Sequence, residues 1–364
     1  MTVAPISQIN QLSRNPAVFR LVVTAFWVAL AGGMLFTLGG GDPAVFIRQG
    51  SGEVAPRRFG GYDGQFAYEI ARDPLGAADR MDIASVRYQR ILYPILAWAL
   101  SFGGSEALLP WVLLGINIAS AIGSTLLLGK LLERRRTSQW YAFSLAVFFG
   151  MVLAVFMDLN EPLSLFLALL AIDHLEQENH WTSAWLFALS GLTKETALIF
   201  PAGILIWALL TRRIGLALKM ASIGIAPIIL WGLVVRLWIG ASIENFIFNL
   251  VNIVPFSGMQ TIPGVGLLLL GWIWSVIPLA FGLILAIKAL TRSTITWEIP
   301  VLIGNALLVA FLPNASWNDL VAPYRLLLQF IIISLLFTAV ESPTVFRFLA
   351  VNWGISFFMF VMLT

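Results

Sequence analysis

The chain has 364 residues, of which 59% are apolar and 11% charged, against roughly 45–50% and about 25% in soluble domains. With a mean hydropathy of +0.88 and apolar runs recurring from Ala17 onward, the bilayer is the expected solvent for most side chains. Zero cysteines exclude disulfides, thiol catalysis, iron–sulfur clusters and cysteine zinc sites. The formal charge of +3 and the pI near 9.4 come from basic residues scattered over loops, which points to membrane orientation and to no nucleic-acid partner.

In chain order, Arg14 and Arg20 precede an apolar run from Leu21 to Leu38 that reads as a retained signal anchor. Eleven apolar segments follow the same logic: Ala17–Leu38, Ala107–Leu131, Gln139–Met157, Pro162–Leu175, Thr182–Leu192, Thr196–Leu210, Ile214–Ile239, Val265–Leu290, Trp297–Leu312, Tyr324–Val340 and Val345–Leu363. The fold class is therefore all-α: a polytopic membrane protein of about 11 transmembrane helices, one integral-membrane domain over residues 1–364. Several segments fall short of the roughly 20 residues a perpendicular crossing needs, so they must be buried half-helices or reach into their polar flanks. Lys130, Arg134, Arg135, Arg136, Arg212, Arg213, Lys219, Lys288, Arg292 and Arg347 fall with the N-terminus on one side, which is then cytoplasmic; Lys194, Arg236 and Arg325 lie on the other.

Residues 39–105 form the one sizeable extramembrane stretch, an outer loop with juxtamembrane helices that carries seven arginines and seven acidic residues. Within it Gln65–Ala71 reads as a short amphipathic helix ended by Asp73-Pro74. Ile91–Phe102 is apolar but too short to cross, which suits an interfacial or re-entrant helix.

Chemistry concentrates at a few places along this outer side. Around Gly61-Tyr62-Asp63-Gly64-Gln65-Phe66-Ala67-Tyr68-Glu69, glycines let the backbone approach a ligand, the aromatic residues can pack on a sugar or on the bilayer, and Asp63 can serve as a base. A solvated interfacial loop explains the same residues. In Arg87-Tyr88-Gln89-Arg90-Ile91-Leu92-Tyr93-Pro94 two arginines three apart share a helix face; they either grip a phosphate or snorkel to lipid headgroups. Lys194-Glu195, between two short apolar segments, is either a phosphate ligand with its partner or a buried ion pair that fixes helix packing. Asp158-Leu159-Asn160-Glu161 and Asn314–Asp319 with Tyr324-Arg325 place further polar groups on the outer side, where Asp158 and Glu161 alone are too few to specify a metal. Asp173, His174, Glu176, Glu178 and His180 read as a solvated cytoplasmic turn without a role.

Taken together, these motifs resemble the GT-C superfamily of integral-membrane glycosyltransferases. Tyr62-Asp63-Gly64-Gln65-Phe66-Ala67-Tyr68-Glu69-Ile70-Ala71 is similar to the W-D-x-x-H-Y-x-x-I-A signature of its GPI-mannosyltransferase-like branch, and Ile91-Leu92-Tyr93-Pro94 to its F-P-L-Y-P. Leu192-Thr193-Lys194-Glu195 resembles the L-T-K-x segment of the aminoarabinose- and protein-mannosyltransferase branches. Gly64 and Gln65 stand where the family has a second acidic residue.

The resemblance implies inverting transfer of a sugar from a polyprenyl-phosphate donor to a glycan, lipid or protein acceptor, at the outer face of a bacterial-type cytoplasmic membrane. Asp63 would be the catalytic base. Arg87, Arg90, Lys194 and Arg325 would hold the donor phosphate, with Tyr62, Gln65, Tyr68, Tyr88, Tyr93, Asp158, Glu161 and Glu195 lining the substrate and Glu244, Asn245 and Trp317 as further lining residues. No cofactor is fixed, and a divalent cation, Mg or Mn, is left open. A transporter or flippase of lipid-linked saccharides and a non-enzymatic membrane subunit, in which Asp63 merely caps a helix, are the competing readings.

Overall fold

The computed structural model describes residues 15–47, 62–240, 254–262, 264–291, 295–318 and 322–363, and every regular element among them is helical. Among the described residues, six helices are long and apolar enough to cross a membrane: Pro16–Gly39, Leu109–Arg134, Ile214–Ile239, Leu268–Leu290, Ala322–Glu341 and Pro343–Phe360. Gln139–Ala146 and Phe149–Phe156 make a seventh if their 53° bend is one broken span. The other apolar segments of the sequence fold as shorter helices, Glu161–Glu176, His180–Thr193, Ile199–Leu210 and Glu298–Ala310. They are short because the chain breaks between them: Lys194 is extended (φ −151°, ψ 119°), and Asn160 opens a helix with Pro162 in its first turn, where a missing N–H costs nothing.

Ala322–Glu341 is the central pillar. Leu, Ile and Phe ring it on every side and it is buried along nearly its whole length, as a helix apolar all round must be. It packs on Glu298–Ala310 and on Phe149–Phe156, and it carries Arg325 in its first turn. Glu161–Glu176 packs against Leu109–Arg134 and His180–Thr193. At the latter crossing Ser164 and Ser190 each donate a hydroxyl to the other's carbonyl (3.0 and 2.7 Å), small residues that let two backbones meet closely.

The segment from residue 62 begins as the sequence suggests. A helix runs from Asp63 to Arg72, two residues earlier than its apolar pattern, and ends at Asp73 before Pro74. Gly64 is required there: a Cβ on it would stand 2.0 Å from the Met157 carbonyl oxygen, so only glycine lets this helix seat on the 157–158 corner. Arg80 bonds Glu69 (2.6 Å) and Asp73 (3.1 Å) and ties the following turn to the helix. Leu92–Leu100 is the expected short apolar helix.

At the opposite end of Leu109–Arg134 the acidic turn departs from expectation. Asp173 is buried and pairs with Lys130 (2.9 Å) and Arg134 (2.8 Å), while Glu176 bonds Arg135, which also reaches Glu298 (3.1 Å). These carboxylates sit in the last turn of their helix, where its dipole disfavours negative charge, and the basic residues opposite offset that. Instead of a solvated turn, this is an ion-pair cluster joining three helices.

Candidate functional site

The Asp63 carboxylate stands at the first position of its helix but caps nothing: the preceding Tyr62 makes no side-chain cap either. Its Oδ1 instead forms an ion pair with Arg87 Nη1 at 2.7 Å and its Oδ2 with Arg325 Nη1 at 2.9 Å, and Oδ2 also accepts a hydrogen bond from Arg90 Nη1 at 3.3 Å. Arg87 and Arg90 come from a short helix, Ala84–Arg87, that tightens into a 3₁₀ turn over Tyr88–Arg90. Trp231 Nε1 donates to the Tyr88 carbonyl (2.8 Å) and so pins that turn to the Ala226–Ile239 helix.

Each of these two arginines is held by its other edge. Arg87 forks through Nε and Nη2 onto Asp82 (2.9 and 2.7 Å), and Arg90 forks in the same way onto Glu195 (2.8 and 2.7 Å). Such two-point pairs fix orientation as well as charge. Arg325 also donates to Glu161 (3.3 Å), and Glu161 forms an ion pair with Lys194 at 3.0 Å. The Phe66 ring lies beneath Arg87 (4.3 Å) and the Tyr62 ring beneath Arg325 (5.0 Å), which adds cation–π attraction from the apolar side.

The network runs inward. Asp63 is 20% exposed at its side chain, Arg90 and Arg325 12% and 11%, and Glu161 and Lys194 6% and 3%. Together with Pro94, Leu159 and Asn160 these residues line a small open hollow. A second small hollow shares Glu161 and Arg325 with it and adds Thr196 and Gln329. Burial by itself would raise the Asp63 carboxyl, but Arg325, Arg90, Arg87 and more distant Lys194 outweigh it and hold it well below the ordinary carboxylate range.

The structure thus brings together Asp63, Arg87, Arg90, Lys194, Arg325, Glu161, Glu195 and Tyr62. It pairs them differently from the linear reading: Lys194 meets Glu161, and its neighbour Glu195 meets Arg90. Six expected lining residues lie elsewhere. Tyr88 is buried with its hydroxyl on the Pro74 carbonyl (2.9 Å), Tyr93 is buried with its hydroxyl on Leu113 (3.2 Å), and Tyr68 packs beside Tyr93. Asp158 is fully buried at a left-handed corner (φ 46°) and meets Asn117 Nδ2 at 3.4 Å, so its carboxyl faces the helix interior and not the hollow. Gln65 is absent from the hollow's lining, and Trp317 packs with Met259 and Leu312. Glu244 and Asn245 lie outside the described residues.

Sequence reasoning passed over Asp82 and Phe66. Asp82 stands five residues before Arg87, a spacing that carries no helix-face signal, and Phe66 shows only as one aromatic residue among many.

Among the described residues no group of three or more His, Asp or Glu side chains is placed to hold a metal ion. Asp63, Glu161 and Glu195 are each paired with a guanidinium or ammonium group. No family model matches this chain, and neither does any curated protein or solved structure.

Proposed function

We propose that this protein is a membrane glycosyltransferase that moves a sugar from a polyprenyl-phosphate donor to a hydroxyl acceptor, a glycan, lipid or protein. The reading rests on the GT-C-like motifs, and the observation that carries it is the convergence of Arg87, Arg90 and Arg325 on Asp63 at the mouth of a hollow that Lys194, paired with Glu161, also lines. The site lies in the juxtamembrane part, so a lipid donor can present its phosphate while its chain stays in the bilayer. In this reading the eleven apolar segments make about eleven crossings, the short ones in pairs, with the N-terminus cytoplasmic and the hollow on the outer face of a bacterial-type cytoplasmic membrane.

In the reaction the bond between the anomeric carbon and the phosphate oxygen breaks, its electron pair goes to the phosphate, and the acceptor oxygen bonds to the opposite face of that carbon. The acceptor's proton goes to Asp63. Phosphate is already a good leaving group, so the protein has to supply cations where charge develops and one carboxylate for the proton. Asp63 and the guanidinium groups stand side by side, so base and cations share one hollow.

A scaffold reading gives Asp63 a helix-capping role, and its oxygens bond arginines instead. The deciding experiment is transfer from radiolabelled polyprenyl-phosphate sugars by the purified protein and its Asp63→Asn variant, with and without a chelator. The expected outcome is transfer that resists chelation and falls by about a hundredfold or more in the variant. Saturable lipid binding without transfer from any donor would overturn the enzyme reading in favour of a carrier.

A further inference from the structure

The guanidinium groups that a donor phosphate needs are the same ones that Asp63 occupies. Arg87 and Arg90 each spend Nε and Nη2 on a second carboxylate, Asp82 and Glu195, and turn only Nη1 toward Asp63; Arg325 pairs its Nη1 with Asp63 while donating the hydrogen bond of that nitrogen to Glu161. Three Nη1 atoms therefore converge on one carboxylate. The outer edges of Arg87 and Arg90 are fixed by forks, whereas Asp63 meets a single nitrogen of each arginine. Asp63 is the anion that can leave without dismantling the cradle.

We propose that this cradle of three guanidinium groups is an anion site filled at rest by the chain's own Asp63, that a phosphate ester enters it by exchange, and that the displaced carboxylate then takes up one proton, the acceptor's during transfer or the solvent's when a phosphate monoester binds alone. The exchange needs only a phosphate; its use in sugar transfer rests on the glycosyltransferase reading. While both its oxygens are paired with guanidinium groups, Asp63 is a poor proton acceptor. Once a phosphate takes the Nη1 donors, a second negative charge stands beside it and its proton affinity rises.

The groups that face Asp63 all bear on this. From the Asp82–Arg90 segment come Arg87, paired to Asp82, and Arg90, paired to Glu195; from the central pillar comes Arg325; behind it lie Glu161 and Lys194, paired to each other. During transfer the donor's singly charged phosphodiester becomes a doubly charged phosphate monoester as the acceptor's proton reaches Asp63. Asp63 loses one negative charge as the phosphate gains one, so the charge that the three guanidinium groups face stays constant through the step.

The test is calorimetric binding of farnesyl phosphate, and of inorganic phosphate in parallel, to the full chain in detergent near pH 6, in buffers of differing ionisation enthalpy. The wild type is expected to take up more protons on binding than Asp63→Asn, and the variant to bind about tenfold more tightly because its competing anion is gone. Arg325→Gln is expected to weaken binding in either background. Equal or weaker binding by Asp63→Asn, equal proton uptake in the two proteins, or no binding of either phosphate overturns the proposal. Should Asp63→Asn fail to fold, proton uptake by the wild type that Arg325→Gln leaves unchanged would do the same. Farnesyl phosphate binding alone shows that the exchange requires a lipid chain; binding of both shows that it does not. Failure of the glycosyltransferase reading shows separately, as exchange and proton uptake without sugar transfer.

Discussion

Lys194 bonds Glu161 at 3.0 Å across 33 residues of sequence, while Glu195 beside it turns to Arg90. Adjacent residues in a chain do not face one another, so a Lys-Glu dipeptide at a helix break serves two different partners. Lys194→Met would leave Glu161 buried without its main cation and is expected to cost about 3–5 kcal/mol. Thermal unfolding in detergent should show this, and adding Glu161→Gln should recover a large part of the loss.

Gly64→Ala places a methyl group 2.0 Å from the Met157 carbonyl oxygen, against backbone that cannot swing aside as a side chain would. The helix must lift and carry Asp63 off its arginines. A loss of about 1–3 kcal/mol is expected from the overpacking, together with weakened phosphate binding, whereas Gly115→Ala, with open space around it, should change neither.

The pH dependence of stability has a definite sign. Asp63 is held below its ordinary value by Arg325, Arg90 and Arg87 against burial, and Asp82 by its hydrogen bonds from Arg87. A carboxyl depressed in the folded state binds fewer protons there than when unfolded, so its contribution is complete above about pH 4 and fades as the pH falls through the folded value. Melting temperature should be flat in these groups from about pH 8 to pH 5 and decline below about pH 4. In Asp63→Asn that acid decline should be shallower.

At the other end of the bundle, Arg135→Met leaves Glu176 and Glu298 without their shared, 8% exposed guanidinium. A loss of about 3 kcal/mol is expected, with phosphate binding at the distant hollow unchanged. Parallel unfolding and binding measurements on the one variant would separate the two ends.

The composition made the site's chemistry visible because charge in an apolar chain is costly and rarely idle. Asp63, Arg87, Arg90, Lys194 and Arg325 stand out in the sequence for that reason, and they meet in the fold. Pairing is another matter, since it depends on which helices touch. Glu161 and Lys194 are joined only because the Glu161–Glu176 and His180–Thr193 helices cross at Ser164 and Ser190. The tyrosines misled because a phenol has an apolar body and one polar tip. Tyr88 and Tyr93 satisfy that tip on backbone carbonyls and bury the ring, so their place in an outer-loop motif revealed nothing of their direction. Asp173 and Glu176 misled in the opposite sense: polar neighbours along the chain suggested water, and the bases that neutralise them lie on another helix.

The Glu161–Glu176 helix begins in one ionic cluster and ends in another: Glu161 grips Lys194 and Arg325, while Asp173 and Glu176 grip Lys130, Arg134 and Arg135. A rod riveted at both ends cannot slide or roll against its neighbours without breaking charged contacts at opposite extremes of the bundle together. Rocking of one half of the protein against the other would have to shear both sets of rivets, whereas the arginine-bearing turn at Tyr88–Arg90 is tied by single bonds and side-chain forks. Movement during a working cycle is therefore expected to be small and near the hollow, with the bundle behind it serving as an anvil.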